Sequence, residues 1–282
     1  MQPLDKHIKT ELDDHIANIE KILNADFISI ISPILYGLDV KVREALESIE
    51  NKKPTLVIMH DTSGGIVEVV ERIVTCVRHY YKEVFFIIPD RAMSAGTIFA
   101  LSGDKIFMDY FSCLGPIDPQ IEKEGTLVPA LAYLNQLERL NKKSDAGQLT
   151  SAEYALLTKL DLAELYTFEQ AKELSRELLI DWLSKYKFKN WEKTETKKTP
   201  VNDEIKKKRA EEIADKLSDN TRWHSHGRGI DMKTLVEDVK LKIDDYHSIE
   251  GLGKEVRAYF DLLKDYITRQ NMFTFVQTRE YF

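Results

Sequence analysis

Thr55-Leu-Val-Ile-Met59, a short apolar and β-branched run, stops at His60-Asp-Thr-Ser-Gly-Gly65, a polar turn with two glycines. This pattern reads as a strand delivered into a turn. From Ile66 the apolar residues Ile66, Val69, Val70, Ile73, Val74 and Val77 fall three and four apart, the spacing of a helix running to about Tyr81. Val84-Phe-Phe-Ile-Ile88 is a second strand closed by Pro89, and Met93-Ser-Ala-Gly-Thr-Ile-Phe-Ala-Leu101 reads as a short helix stopped by Gly103. Two successive strand ends therefore carry a paired-glycine turn and a serine.

Neighbouring parallel strands lie about 4.8 Å apart, so a serine after one and free backbone N–H groups after the next can meet at one substrate carbonyl. Such a pair is a nucleophile, Ser94, with an oxyanion hole at Gly64, Gly65 and Ala95. Glycine suits the turn because it tolerates positive φ and close approach of a ligand. Ala95 and Gly96 are small residues at the first helical turn, where N–H groups have no intrahelical partner. The plainer alternative makes Ser94 an N-cap and Ser63-Gly-Gly65 an ordinary turn. Each fragment alone favours that alternative; their occurrence at successive strand ends favours the site.

Working outward, Ile8, Leu12, Ile16, Ile19 and Leu23 form the apolar stripe of an amphipathic helix ending near Ala25. Phe27-Ile-Ser-Ile-Ile31 is the first strand, followed by a helix from Leu38 to about Asn51. Lys105-Ile-Phe-Met-Asp109 is a further strand, and Cys113 to Pro119 a short extended piece. Strands alternating with helices build a mostly parallel sheet whose ligands bind beyond the carboxyl ends of the strands. From Leu127 the chain turns helical: Leu131, Leu134, Leu137 and Leu140 mark one helix, Thr150 or Ser151 caps a second, and a third runs from about Thr167 to Tyr186. Phe188 to about Asp203 is a polar connection, which divides the chain into 1–187 and a mostly helical 188–282. In that second part Glu204 to Leu217 and Ile249 to Ile267 read as helices, Leu241-Lys-Ile243 as a brief strand, and the tail from Met272 to Phe282 shows some alternation.

With 282 residues, 43% apolar and 31% charged, the chain is ordinary for a globular protein. No run approaches the roughly 20 apolar residues of a membrane span, and the first residues lack the basic start and apolar run of a signal peptide; the expectation is a cytoplasmic protein. A net charge of −7 with mixed signs argues against nucleic acid as a partner. Lys206-Lys-Lys-Arg209 has Glu residues around it and reads as a solvated helix face. Cys76 and Cys113 read as buried reduced thiols, and no metal ligand set is expected, since His224-x-His226 lacks a third ligand at suitable spacing.

Asp61-Thr-Ser-Gly-Gly65, Ala92-Met-Ser-Ala-Gly-Thr97 and Leu114-Gly-Pro-Ile-Asp-Pro-Gln120 together resemble the serine dehydrogenase proteinase family. That family lies in the Clp protease/crotonase superfamily, close to signal peptide peptidase A. The resemblance is strongest from Phe27 to Ile121, with a weaker echo at His226-Gly-Arg-Gly229. It implies a Clp/crotonase-like spiral of ββα units with a C-terminal helical extension, a serine hydrolase core in 1–187 with a helical arm, a peptide or protein substrate, no cofactor and a homo-oligomer. Asp118 lies in the region where the Clp subunit places its catalytic histidine, and no histidine occurs between His79 and His224. The Ser-His-Asp arrangement of Clp is therefore absent at that position.

A serine needs a base within hydrogen-bond reach. Lys142 or Lys143 lies about as far beyond Ser94 as the lysine base of signal peptide peptidase A lies beyond its serine, and burial could make such a lysine neutral. Lys159, beside the stripe of Leu156, Leu157 and Leu160 with Asp161 nearby, is a second candidate. His226, with Asp118 or Asp231 as orienter, is a third. The expectation ranks the lysines first and takes Ser94, Lys143 and Lys159 as catalytic. Two other classes stay open, a catalytically silent module that recruits partners and a crotonase-type enzyme acting on an acyl-CoA thioester.

Overall fold

The computed structural model describes residues 3–118, 120–123, 126–194 and 198–282. Pro119 in the third motif, residues 195–197 of the expected connection, and the side chains of Leu127 and Leu131 lie outside the described residues. In chain order the elements are α1 (Pro3–Leu23), β1 (Asp26–Ile31), α2 (Leu38–Ser48), β2 (Thr55–Asp61), α3 (Val67–Tyr80), β3 (Glu83–Ile87), β4 (Arg91–Ala92), α4 (Ala95–Leu101), β5 (Lys105–Met108) and β6 (Cys113–Leu114). There follow β7 (Gln120–Lys123), β8 (Thr126–Pro129), α5 (Ala130–Asp145), α6 (Ser151–Leu157), α7 (Leu162–Trp182), α8 (Asp203–Ser218) and α9 (Asn220–Trp223). The chain closes with β9 (Ile230–Asp231), α10 (Met232–Thr234), β10 (Asp244–Asp245), α11 (Leu252–Gln270) and β11 (Phe275–Gln277).

Six strands form the main sheet in the order β10-β5-β3-β2-β1-β11, parallel throughout except for β11 against β1. Its central strands β1, β2 and β3 are largely apolar runs because both faces are covered. Ile28, Ile30, Leu56, Ile58, Val84, Phe86 and Ile106 pack on one side with residues of α2, α3, α4, α7 and α8. The alternate residues Phe27, Val57, Met59, Phe85, Ile87 and Phe107 face α1 and α11 on the other. This is the parallel-sheet α/β architecture expected from the Clp-like motifs.

The segment expected as a helical extension returns to that sheet. β10 pairs with β5 at one edge and β11 with β1 at the other, while α11 packs on α1. The change of composition at 187/188 thus marks a connection in the chain, after which the residues share the sheet of those before it. The brief strand of this part is at 244–245, not 241–243, since it is Asp244 and Asp245 that pair with Phe107 and Met108. Helix α5 starts only at Ala130, because 120–123 and 126–129 pair as antiparallel strands. Cys76 and Cys113 are free thiols, each half-buried rather than buried.

Candidate active site

Beyond the carboxyl end of β2 the chain is pinned on both sides. Ile34 N–H donates to Gly64 O (2.9 Å) and Ile66 N–H to Ile34 O (2.8 Å), while Thr62 N–H donates to Arg91 O (3.0 Å) and Met93 N–H to Thr62 O (3.1 Å). The first pair of bonds leaves the Gly65 N–H directed away from Ile34. Gly64 and Gly65 have φ of 99° and 148°. A methyl group on Gly64 would lie 2.9 Å from Ser94 Cβ and 2.8 Å from Met93 O, and one on Gly65 2.1 Å from Ile34 O. Only glycine fits either place, and the paired-glycine turn lies directly against Ser94.

Ser94 has φ 52° and ψ −119°, a conformation that L residues seldom occupy. It separates β4 from α4, so the helix begins at Ala95 rather than Met93. The hydroxyl makes no capping bond, which removes the plain N-cap reading. Gly96 N–H, one of the two donors expected to be free, is taken by Met93 O (2.8 Å); the N–H groups of Gly65 and Ala95 enter no hydrogen bond among the described residues. A strained serine on a sharp strand-to-helix turn, with unengaged donors beside it, can attack a carbonyl and hold the resulting oxyanion.

The third motif closes on the same turn. A methyl on Gly115 would sit 3.0 Å from Ser94 N. The buried Thr97 hydroxyl lies 2.7 Å from Ala92 O and 2.9 Å from both Gly115 O and Gly115 N, so it accepts the Gly115 N–H and donates to a carbonyl. This tie is invisible to periodicity. Its only sequence signal is a hydroxyl in the first turn of an otherwise apolar helix.

Strand β6 pairs with β9, which brings the His224–Gly229 turn beside residues 115–118. His226 Nδ1 is 2.9 Å from Asp118 Oδ1. Asp118 is fully buried, and its Oδ2 has no hydrogen-bond partner among the described residues. Asp231, the other orienter considered, instead caps α10 by accepting from Thr234 N–H (2.7 Å).

The lysines lie elsewhere. Lys142 Nζ bonds Glu138 Oε1 (2.6 Å), and Lys143 Nζ bonds Glu153 Oε1 (2.5 Å). That ammonium and the Thr150 N–H hold the Glu153 carboxyl down to about 2, while Glu153 completes the α6 capping box with Thr150. Lys159 is exposed, and Asp161, expected to hold it, caps α7 through Ala163 and Glu164 N–H. Neither Lys143 nor Lys159 has a hydrogen bond or ion pair with the Ser94 turn among the described residues. His60, just before the glycine turn, is fully buried: Nδ1 lies 3.0 Å from Ile30 O, Nε2 has no hydrogen-bond partner among the described residues, and burial pushes its pKa down to about 4.

A model of the ClpP-like SDH-type serine proteinase family matches residues 27–204. The chain belongs to that family. Two uncharacterized proteins of Methanocaldococcus jannaschii are similar in sequence: MJ0137 is 33% identical over 145 residues, 48% of this chain and 49% of that protein. MJ1495 is 29% identical over 147 residues, 49% of this chain and 48% of that protein. The chain thus spans about half the length of the curated relatives it matches. Among solved structures, an alanine mutant of the 1510-N membrane-bound stomatin-specific protease aligns with a TM-score of 0.32 at 19% identity, covering 42% of this chain and 62% of that one. A second mutant of that protease, in complex with a substrate peptide, aligns with a TM-score of 0.32 at 20% identity over 42% and 58% of the two chains. No helix among the described residues is long and apolar enough to cross a membrane.

Proposed function

We propose that this chain is a serine peptidase in which Ser94 attacks the scissile carbonyl of a peptide. The observation that carries this reading is the Ser94 turn itself: a strained serine whose hydroxyl caps nothing, set against Gly64, with the Gly65 and Ala95 N–H groups unengaged among the described residues. As the Ser94 Oγ–C bond forms and a base takes the hydroxyl proton, the carbonyl oxygen gains charge, and two backbone donors beside it lower that barrier without reorganising. Collapse breaks the C–N bond and leaves an acyl ester on Ser94, which water hydrolyses. Family membership supports the reaction class, and the geometry supports the residues.

The test is turnover of a peptide library by the full chain and by Ser94→Ala, with circular dichroism as the control for folding. A fall of about 10³-fold or more in kcat is expected when a nucleophile is removed. Equal turnover by a folded Ser94→Ala variant would exclude Ser94. A wild-type chain that cleaves neither peptides nor activated esters is a silent module and has no such chemistry.

A further inference from the structure

At the amino end of the main sheet, opposite the strand ends that carry Ser94 and Gly64, lie Lys105, Lys187 and Lys242, none of them ion-paired to a carboxylate among the described residues. We infer that Lys187, Lys105 and Lys242 form a binding site for a small tetrahedral dianion, either free phosphate or the phosphate of a monoester.

Strand register and one pinned lysine bring the three together. Asp244 of β10 stands beside Phe107 of β5, so two positions earlier Lys242 and Lys105 approach the same edge of the sheet. Lys105 opens β5 and sits over the Phe85 ring, 4.9 Å from its centre. Lys187 ends the π-helical turn Leu183–Lys187 that extends α7. Two residues on, Lys189 Nζ lies 3.0 Å from Glu83 Oε1 and 2.5 Å from Asp104 Oδ1, which holds this turn against the starts of β3 and β5.

Most of the negative charge in this region already has a partner. Asp104 Oδ2 accepts from Arg78 (2.9 Å) and from the Val84 N–H (2.7 Å), while its Oδ1 faces Lys189. Asp245, on β10, accepts from the His247 N–H (2.8 Å). Asp244 acts on Lys187 through its charge but forms no ion pair among the described residues. Lys105, Lys187 and Lys242 thus share one unengaged carboxylate, and positive charge is in excess.

Lys187 registers that excess. It is partly buried, and lysine is rarely taken out of water without a partner. Burial first, and then the ammoniums of Lys242 and Lys105, push its pKa down to about 8 against the pull of Asp244 and Asp104. A dianion placed among the three lysines offsets both effects, since it pairs the crowded cations and gives the Lys187 ammonium acceptors. Lysine suits the task, because its compact charge and three rotatable donors meet phosphate oxygens from any direction.

The experiment is titration calorimetry of the full chain with sodium sulfate at pH 8, where Lys187 is half-charged, with ionic strength held constant by sodium chloride. Sulfate is the probe because it carries no proton to exchange at that pH. Lys187→Gln, Lys242→Gln and the distant control Lys142→Gln are titrated alongside, each in two buffers of different ionisation enthalpy. A saturable site is expected, weakened about tenfold or more by Lys187→Gln and by Lys242→Gln and unchanged by Lys142→Gln. Binding should take up about half a proton at pH 8, because the dianion completes the charge on Lys187. That uptake should disappear in Lys187→Gln. Inorganic phosphate against methyl phosphate then separates the two sources: tighter binding of the first marks a free-ion site, and of the second a monoester site. Heats that do not saturate, or equal affinity in a folded Lys187→Gln variant, overturn the inference. So does sulfate binding by wild type without proton uptake, a result that requires no variant to fold. None of these readouts involves Ser94, so the peptidase reading stands or falls separately.

Discussion

The strand ends around Ser94 and the helical arm of α5, α6 and α7 treat their polar groups in opposite ways. At the strand ends the backbone bonds of Thr62, Gly64 and Met93 fix the turn from both sides, and among the described residues one serine hydroxyl and two N–H groups are left unengaged. On the arm, charged groups are satisfied by neighbours a turn or a short loop away, as in Lys142–Glu138 and Lys143–Glu153. Tyr154, Leu156, Leu162 and Tyr166 there are at least 60% exposed. Unsatisfied groups in a rigid setting are available for chemistry, whereas satisfied groups in an open setting hold a helix together. A lysine at a suitable distance along the chain therefore says little about a base, and a serine between two buried elements says much.

Substitutions on the rigid side should show that contrast most strongly. Gly64→Ala puts a methyl into Met93 O and Ser94 Cβ at a φ of 99°. A cost of about 1–3 kcal/mol is expected for the strained backbone alone. Turnover should fall by about 10²-fold or more because the oxyanion donors move. Denaturant melts with initial rates check both, and an unaffected variant would mean the turn is slack.

Thr97→Val tests the tie to Gly115. The change removes the hydroxyl that the Gly115 N–H shares with Ala92 O (3.0 Å), at a cost of about 0.5–1.5 kcal/mol for the lost hydrogen bond. The loss in turnover should be smaller than for Gly64→Ala, since Thr97 supports the turn from behind. Equal stability by denaturant melt would show that the third motif is not fastened by this hydroxyl.

A third prediction concerns acid. The His60 pKa in the folded chain, about 4, lies below the ordinary 6.5, so between these values the unfolded chain binds the extra proton. Its contribution is whole above about pH 6.5 and is lost as pH falls toward 4, amounting to about 3 kcal/mol over the window. His60→Asn keeps a donor for Ile30 O and cannot titrate there. Its thermal midpoint should vary less with pH than that of wild type between pH 6.5 and 4. Parallel curves would contradict the buried neutral imidazole.

The main strands and most helices were legible because their apolar runs and spacings are local. The meeting of the paired-glycine turn with Ser94 was legible too, since each follows a strand of a parallel sheet; the approach of Gly115 to Ser94 was not. The antiparallel pairing of 120–123 with 126–129 was not legible because these residues show neither helical spacing nor strict alternation. The return of the tail as β11, and the two-residue pairing of β9 with β6 that brings His226 to Asp118, depend on contacts more than a hundred residues apart along the chain. Periodicity cannot see such contacts, and so the lysines, nearer in sequence, ranked above the histidine.

Reaction of the folded chain with a fluorophosphonate, followed by peptide mapping of the adduct by mass spectrometry, tests the Ser94 turn most directly. A single adduct on Ser94, lost on prior denaturation, is the expected result. No adduct, or an adduct on another serine such as Ser63, would contradict it.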